Sequence, residues 1–290
     1  MRHMSNGTGA RIITTPPEPS TARASEQMAP GPEPVSESPT NQRKEVIRAE
    51  DIRKSFSASS SERVDVLRGV SLQASQGELV AIMGPSGSGK STLMYCLAGL
   101  ERPTGGSVTV LGTDLASLSR TQLARLRRDR IGFLFQSYNL VPTLSALDNA
   151  ALPGLIGKAP VPTERLERIV EQLGLTHRKD ALPATMSGGE QQRVALARVL
   201  AQEPSIVFAD EPTGALDTRS GQRVLRALTA LAHEDGTCVI LVTHDPSVAA
   251  RCDRVLFLRD GLLTSQHISD GSDDFAQMLA AELARHGSAR

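Results

Sequence analysis

The run Gly84-Pro-Ser-Gly-Ser-Gly-Lys-Ser91 constrains this chain more than any other stretch of it. It follows directly on the apolar run Leu79–Met83 and leads into apolar residues at Leu93, Leu97 and Leu100, spaced as on a helix. The pattern G-x-x-x-x-G-K-[ST] between a strand and a helix is that of a phosphate-binding loop. Gly84, Gly87 and Gly89 let backbone N–H groups close around phosphate oxygens, and the helix start adds its positive end. Lys90 supplies a point charge, and Ser91 offers a hydroxyl to Mg²⁺.

The rest of the chain is read around that loop. Short apolar runs at Val64–Leu67 and Val70–Leu72, then Val108–Leu111, predict an antiparallel layer feeding into the buried strand Leu79–Met83. Leu166, Ile169, Val170 and Leu173 fall at helical spacing, with Thr163 as the expected N-cap and Gly174 as the stop. Ile206–Ala209, Cys238–Val242 and Val255–Leu258 are wholly apolar, with a helical stretch around Val224, Leu225, Leu228 and Leu231. Such runs suit parallel strands covered on both faces, so the C-terminal half reads as α/β. Residues 1 to 44 carry seven prolines from Pro16 to Pro39, many Ser and Thr, and few large aliphatics. They cannot bury enough apolar surface to offset their ordering entropy and are expected to form a disordered tail, with a docking or regulatory segment as the alternative.

Composition removes several classes. The chain has 290 residues, with 32 basic and 32 acidic side chains, so nothing in the net charge points to nucleic acid. The longest stretch without a charge, Ile131 to Leu147, is broken by Gln136, Ser137, Asn139 and Pro142. It falls short of the ~20 mostly apolar residues of a membrane helix. No apolar run follows Arg2, which disfavours a secretory signal and predicts a cytosolic protein. Cys96, Cys238 and Cys252 are odd in number and lack C-x-x-C spacing, so reduced, buried thiols are expected.

Two further motifs narrow the chemistry. Ile206-Val-Phe-Ala-Asp210-Glu211 is an apolar strand ending in two carboxylates. Asp210 at the carboxyl end of a buried strand can hold Mg²⁺ through its water shell, and Glu211 can face an attacking water. No Asn-Lys-x-Asp is present to read guanine. Ser187-Gly-Gly-Glu-Gln-Gln192 precedes this strand; Ser187 and Glu190 have capping-box spacing, and Gly188 and Gly189 leave the first N–H groups of a helix bare. A second helix start prepared for phosphate is explained if it caps the nucleotide held by a second copy of the chain.

Taken together, these motifs resemble the ATPase subunit of an ATP-binding-cassette (ABC) transporter, from about Ile47 to Gly261. Phe133-Leu-Phe-Gln136 resembles the Q-loop, Gly214-Ala-Leu-Asp217 the D-loop, and Val242-Thr-His244-Asp245 the switch histidine. The finer wording is similar to the macrolide-export and lipoprotein-release branch, with Met186 where the family usually has Leu and Ala215 where this branch often has Asn. The resemblance implies a P-loop NTPase core with an antiparallel β subdomain and a helical signature subdomain. It places the ATPase domain at 45–270, with a short C-terminal helix or tail at 271–290.

For the site, the resemblance implies that Gly84, Pro85, Ser86, Gly87, Ser88, Gly89, Lys90, Ser91 and Thr92 hold the ATP phosphates. Ser91, Gln136 and Asp210 would surround Mg²⁺, Glu211 would polarise the water, and His244 would contact the γ-phosphate. Phe56, in Arg-Lys-Ser-Phe, would stack on adenine. Ser187, Gly188, Gly189 and Glu190 would complete the site of the opposite subunit in an ATP-bound homodimer. The implied partner is a separate transmembrane permease, met by the segment Ser137 to Leu144, with the cassette peripheral on the inner face of the membrane. Competing readings are a cassette that transmits force through a membrane partner to cell-wall machinery, and a soluble cassette without a permease.

Overall fold

The computed structural model describes residues 43–57, 63–157, 159–272 and 274–287. The expected tail falls outside the described residues except for Arg43 and Lys44. Two long strands come first, β1 (Glu45–Ser57) and β2 (Arg63–Ser75), paired antiparallel. The buried strand β3 (Leu79–Met83) then leads through the glycine loop into α1 (Lys90–Leu97). β4 (Gly105–Val110) and β5 (Thr113–Asp114) complete a four-stranded antiparallel sheet in the order β2-β1-β4-β5. β1 carries a bulge between Ala49 and Ile52, with Asp51 in the left-handed region. Gly106 fits beneath it at φ +81°, where a Cβ would lie 2.3 Å from the Asp51 carbonyl oxygen.

The chain continues through α2 (Arg120–Arg130), β6 (Ile131–Leu134), α3 (Ala146–Ile156), α4 (Thr163–Gln172) and α5 (Gly188–Gln202). β7 (Ile206–Asp210), α6 (Thr218–His233), β8 (Cys238–Val242) and α7 (Pro246–Ala249) follow. β9 (Arg254–Arg259), β10 (Leu262–Ile268) and α8 (Asp274–Gly287) end the described chain. The second sheet is six-stranded, ordered β10-β9-β3-β8-β7-β6, and parallel except for β10.

Alternation along each buried strand splits the core into two clusters, one on each face of this sheet. Val80 and Ile82, Ile206 and Phe208, and Cys238 and Ile240 pack with α1 and the antiparallel sheet. Leu79, Ala81 and Met83, Val207 and Ala209, and Val239 and Leu241 pack with α5 and α6. A wholly apolar strand is therefore required at β3, β7 and β8, as expected from the sequence.

One local expectation changes. Pro162, not Thr163, caps α4; its carbonyl accepts from Arg165 and Leu166, while Thr163 is the first helical residue and makes no side-chain cap bond. Proline presets the backbone angle that a helix start needs. Gly174 does end that helix, at φ +65°, with Leu175 N–H returning to the Val170 carbonyl. The segment 271–290, set apart as a short helix or tail, contains α8, which buries Phe275 and Leu279 in the same cluster as α5 and α6. All three cysteines are free and buried, and desolvation pushes the Cys96 thiol up to about 11. Among the described residues no helix is long and apolar enough to cross a membrane.

Asn149, fully buried on α3, holds the loop after β6 in place. Its Oδ1 accepts from Val141 N–H at 2.8 Å, and its Nδ2 lies 3.0–3.1 Å from the carbonyls of Val141, Leu144 and Ser145. Asn149→Ala leaves buried backbone groups unpaired, and we expect a loss of about 2 kcal/mol in urea denaturation. An unchanged midpoint would show that water replaces these bonds.

Candidate active site at the carboxyl edge of the parallel sheet

Parallel strands release their loops at one edge, which is where ligands bind in open α/β sheets. Here the register Ile82↔Val242, Asp210↔Val242 and Leu134↔Ala209 brings the ends of β3, β8, β7 and β6 to the same edge. The loops leaving them carry Gly84–Ser91, His244, Glu211 and Gln136. Short backbone bonds fasten the exits: Thr243 N–H donates to the Ile82 carbonyl at 3.2 Å and Glu211 N–H to the Val242 carbonyl at 3.0 Å.

The glycine loop closes tightly. At Gly84, φ +152°, a Cβ would lie 2.0 Å from the Leu258 carbonyl oxygen, and at Gly89, φ +100°, 2.9 Å from that of Val66. Gly87 faces open space. Lys90 Nζ donates to the carbonyls of Gly84 and Pro85, both at 2.9 Å, folding back over its own loop. Burial lowers the Lys90 ammonium pKa, opposed by the charges of Glu211 and Asp210. Ser88 Oγ is buried and has no hydrogen-bond partner in the protein. Pro85 is half-buried, Ser86 is exposed, and Thr92 sits half-buried on the first turn of α1.

Asp210 is the buried carboxylate at the end of β7. Ser91 Oγ donates to its Oδ1 at 3.1 Å and Tyr95 Oη to its Oδ2 at 3.3 Å. Burial and the neighbouring charge of Asp210 raise the Tyr95 phenol, so it stays a donor. The next residue, Glu211, is in the left-handed region at φ +45°, a strained setting for a non-glycine residue. Its Oε1 lies 2.7 Å from His244 Nδ1. An ionised carboxylate only accepts, so Nδ1 carries the proton and Nε2 is left for another partner. Hard oxygen ligands and an oriented carboxylate beside a phosphate loop are the groups that phosphoryl transfer uses.

The signature residues are held by a network of their own. Ser187 Oγ accepts from Glu190 N–H, Glu190 Oε2 accepts from Ser187 N–H at 2.8 Å, and Arg178 Nε lies 3.3 Å from Glu190 Oε1. These contacts lower the Glu190 pKa against the opposing effect of burial. Gly188 and Gly189 lie close to side chains as well, since a Cβ would lie 2.7 Å from Tyr138 Oη at one and 2.8 Å from Ser220 Oγ at the other, so a larger residue would require these side chains to shift. Phe56, 43% exposed, is the penultimate residue of β1, with Lys54 Nζ 4.8 Å above its ring.

Sequence reasoning missed Tyr95 and Arg198. Arg198 donates to the carbonyls of Asn139 and Tyr138, at 2.8 and 3.1 Å, pinning two consecutive left-handed residues beyond Gln136. Only Tyr95 gave a usable signal, as one of two tyrosines in the chain standing four residues after Ser91.

Fold and site together define a nucleotide-binding cassette. Residues 67–214 match the family described as ABC transporter, and the chain belongs to it as an ATPase domain. It is 48% identical over 218 residues to the pyoverdine export ATP-binding/permease protein PvdT of Pseudomonas entomophila, covering 74% of this chain and 33% of that protein. It is 46% identical over 240 residues to the macrolide export ATP-binding/permease protein MacB of Marinobacter nauticus, covering 82% and 36%. The chain thus spans about a third of the length of the curated relatives it matches. Among solved structures it is similar to the ATP-binding cassette MJ0796, captured as a dimer in a post-hydrolysis state with ADP and Pi. There the TM-score is 0.73 and the identity 37%, over 78% of this chain and all of that one.

Proposed function

We propose that the chain hydrolyses ATP at a site shared between two copies of itself and so drives a separate membrane permease, in export or in extraction of a lipid or lipoprotein. The observation that carries this reading is the meeting of the glycine loop, Asp210, Glu211 and His244 at one sheet edge, with the paired contacts Ser91–Asp210 and Glu211–His244.

The residues present fit the nucleotide and its cation. The orphaned Ser88 hydroxyl and the open space over Gly87 suit a phosphate oxygen, and Ser91 with Asp210 forms an oxygen pair suited to Mg²⁺. Ser91, Asp210 and Gln136 would hold Mg²⁺, which would supply charge neutralisation at the phosphates. Gly84 to Thr92 cradle the triphosphate. Lys90 exchanges two neutral carbonyl partners for anionic oxygens, which gives stronger, charge-assisted bonds. Glu211 accepts a hydrogen bond from the attacking water, and His244, held at Nδ1 by Glu211, turns Nε2 to the γ-phosphate. Phe56 stacks on adenine. Ser187, Gly188, Gly189 and Glu190 of a second copy close the site, so ATP favours the closed dimer because it contacts both faces there.

Beside the segment Ser137 to Leu144 read in the sequence, exposed apolar side chains offer a further surface to the permease. Leu140 packs half-buried against the core, so a charge there would also act on the fold, and the Val141 backbone is bonded to Asn149. The exposed apolar positions nearby are Leu100, Leu155 and Ile156. A groove of about 340 Å³ between Leu100, Phe133, Phe135, Leu152 and Ile156, rimmed by Arg127 and Arg198, is the proposed seat for a permease segment. Such docking makes the chain peripheral on the cytoplasmic face of the membrane. A cassette that passes force through a membrane partner to cell-wall machinery would use the same groove, and substrate-stimulated ATPase with the permease separates the two. The domain at 45–270 extends in this reading through α8, which shares its core.

Glu211→Gln should keep ATP binding and accumulate as an ATP-bound dimer on gel filtration, with turnover lowered about 10²-fold or more; wild-type turnover would sink the catalytic assignment. Lys90→Ala should lose nucleotide affinity in calorimetry, and normal affinity would undo the phosphate-loop reading. Ile156→Glu should leave the cassette's own ATPase intact and abolish permease-coupled transport, and full transport would refute the groove.

A further inference from the structure

The buried carboxylate of Asp210 has both oxygens engaged by one helix. Ser91 and Tyr95 stand four residues apart on α1, so their side chains share one face. The Ser91 hydroxyl donates to Oδ1, and the Tyr95 hydroxyl donates to Oδ2. Serine belongs to the phosphate-loop pattern; tyrosine does not. The ring is held by its surroundings. It packs half-buried against the cluster that contains Leu93, Met94 and Leu97, and the Tyr95 carbonyl accepts from Leu100 and Glu101 N–H where α1 ends. A planar side chain with two rotatable bonds, fixed in this way, delivers its hydroxyl to one place.

We infer that Tyr95 is a positioning residue for the cation site, occupying Oδ2 of Asp210 so that Oδ1 stays turned to Ser91. The inference rests on the assignment of Ser91 and Asp210 to Mg²⁺ proposed above. Without the phenol, a carboxylate on a strand end can rotate about its last bond, whose torsional preference is broad. Hydrogen-bond partners behind a ligating carboxylate commonly change metal affinity about 10- to 100-fold. Tyr95 itself lies behind the carboxylate and acts through it.

The test is the Tyr95→Phe chain, which loses one oxygen and keeps the ring. Mn²⁺ is titrated by electron paramagnetic resonance into the protein with a non-hydrolysable ATP analogue, and the analogue's affinity is measured separately in EDTA. The expected result is about a 10-fold weaker Mn²⁺ midpoint, with the affinity in EDTA within twofold of wild type. A second measurement guards against loss of fold: thermal unfolding without nucleotide should leave Tyr95→Phe cooperative. In an Asp210→Asn background the Tyr95→Phe change should have no further effect on the Mn²⁺ midpoint. An unchanged midpoint in Tyr95→Phe, while Ser91→Ala shows the expected loss, overturns the role of Tyr95 alone. If Ser91→Ala also leaves the midpoint unchanged, the cation assignment fails with it. Equal weakening in EDTA would place the phenol's effect on the loop and not on the cation, and would likewise overturn the inference.

Discussion

The pairing of β3 with β8 on one side and β9 on the other is the constraint on which everything at the site depends. All five residues of β3 are buried on both faces, so its apolar pattern does not by itself distinguish one register from the next. Polar groups at the strand ends make the choice. Asp253 Oδ2 accepts from Leu79 N–H at 3.0 Å, and Asp253 N–H donates to the Leu79 carbonyl at 2.8 Å. At the other end Thr243 and Glu211 donate to the exits of β3 and β8. A slip of one residue would break these bonds in a dry interior, where unpaired backbone groups are costly. The strand exits that carry the glycine loop, the two carboxylates and the histidine are therefore held in register.

The helical layer formed by α3, α4 and α5 is joined to that edge by contacts from the segment that follows β6. Arg198 reaches from α5 to the carbonyls of Tyr138 and Asn139, and the Tyr138 hydroxyl sits against Gly188. Residues 138 and 139, just beyond Gln136, are thus tied to α5 both at Arg198 and at its start. The left-handed backbone at Tyr138, Asn139 and Glu211 concentrates local strain at the same edge. Strain of this kind persists only where neighbouring contacts over-determine it, as the Arg198 fork and the Glu211–His244 bond do here.

Much of the fold was legible because its signals are local. The strand–loop–helix at Leu79–Leu97, the capping box of Ser187 and Glu190, and the apolar runs at β7 and β8 follow from side-chain period and backbone chemistry over a few residues. The cap expected at Thr163 falls one residue earlier, at Pro162, with no side-chain cap bond, because any N-cap carbonyl accepts the first helical N–H bond whatever its side chain. The C-terminal segment reads in sequence only as a short helix or tail, since the burial of Phe275 and Leu279 depends on partners far away in the chain.

The sequence by itself determined that this chain carries a glycine loop of the phosphate-binding pattern and a carboxylate pair at a strand end and starts a helix at Ser187, because each is written in adjacent residues. Only the tertiary structure decided which distant groups meet. Tyr95 lies 115 residues from Asp210, Arg198 59 from Asn139, and His244 33 from Glu211. No periodicity encodes such pairs. They arise when parallel strands align their carboxyl ends and the two apolar faces of the sheet are covered, which fixes the helices that carry these side chains.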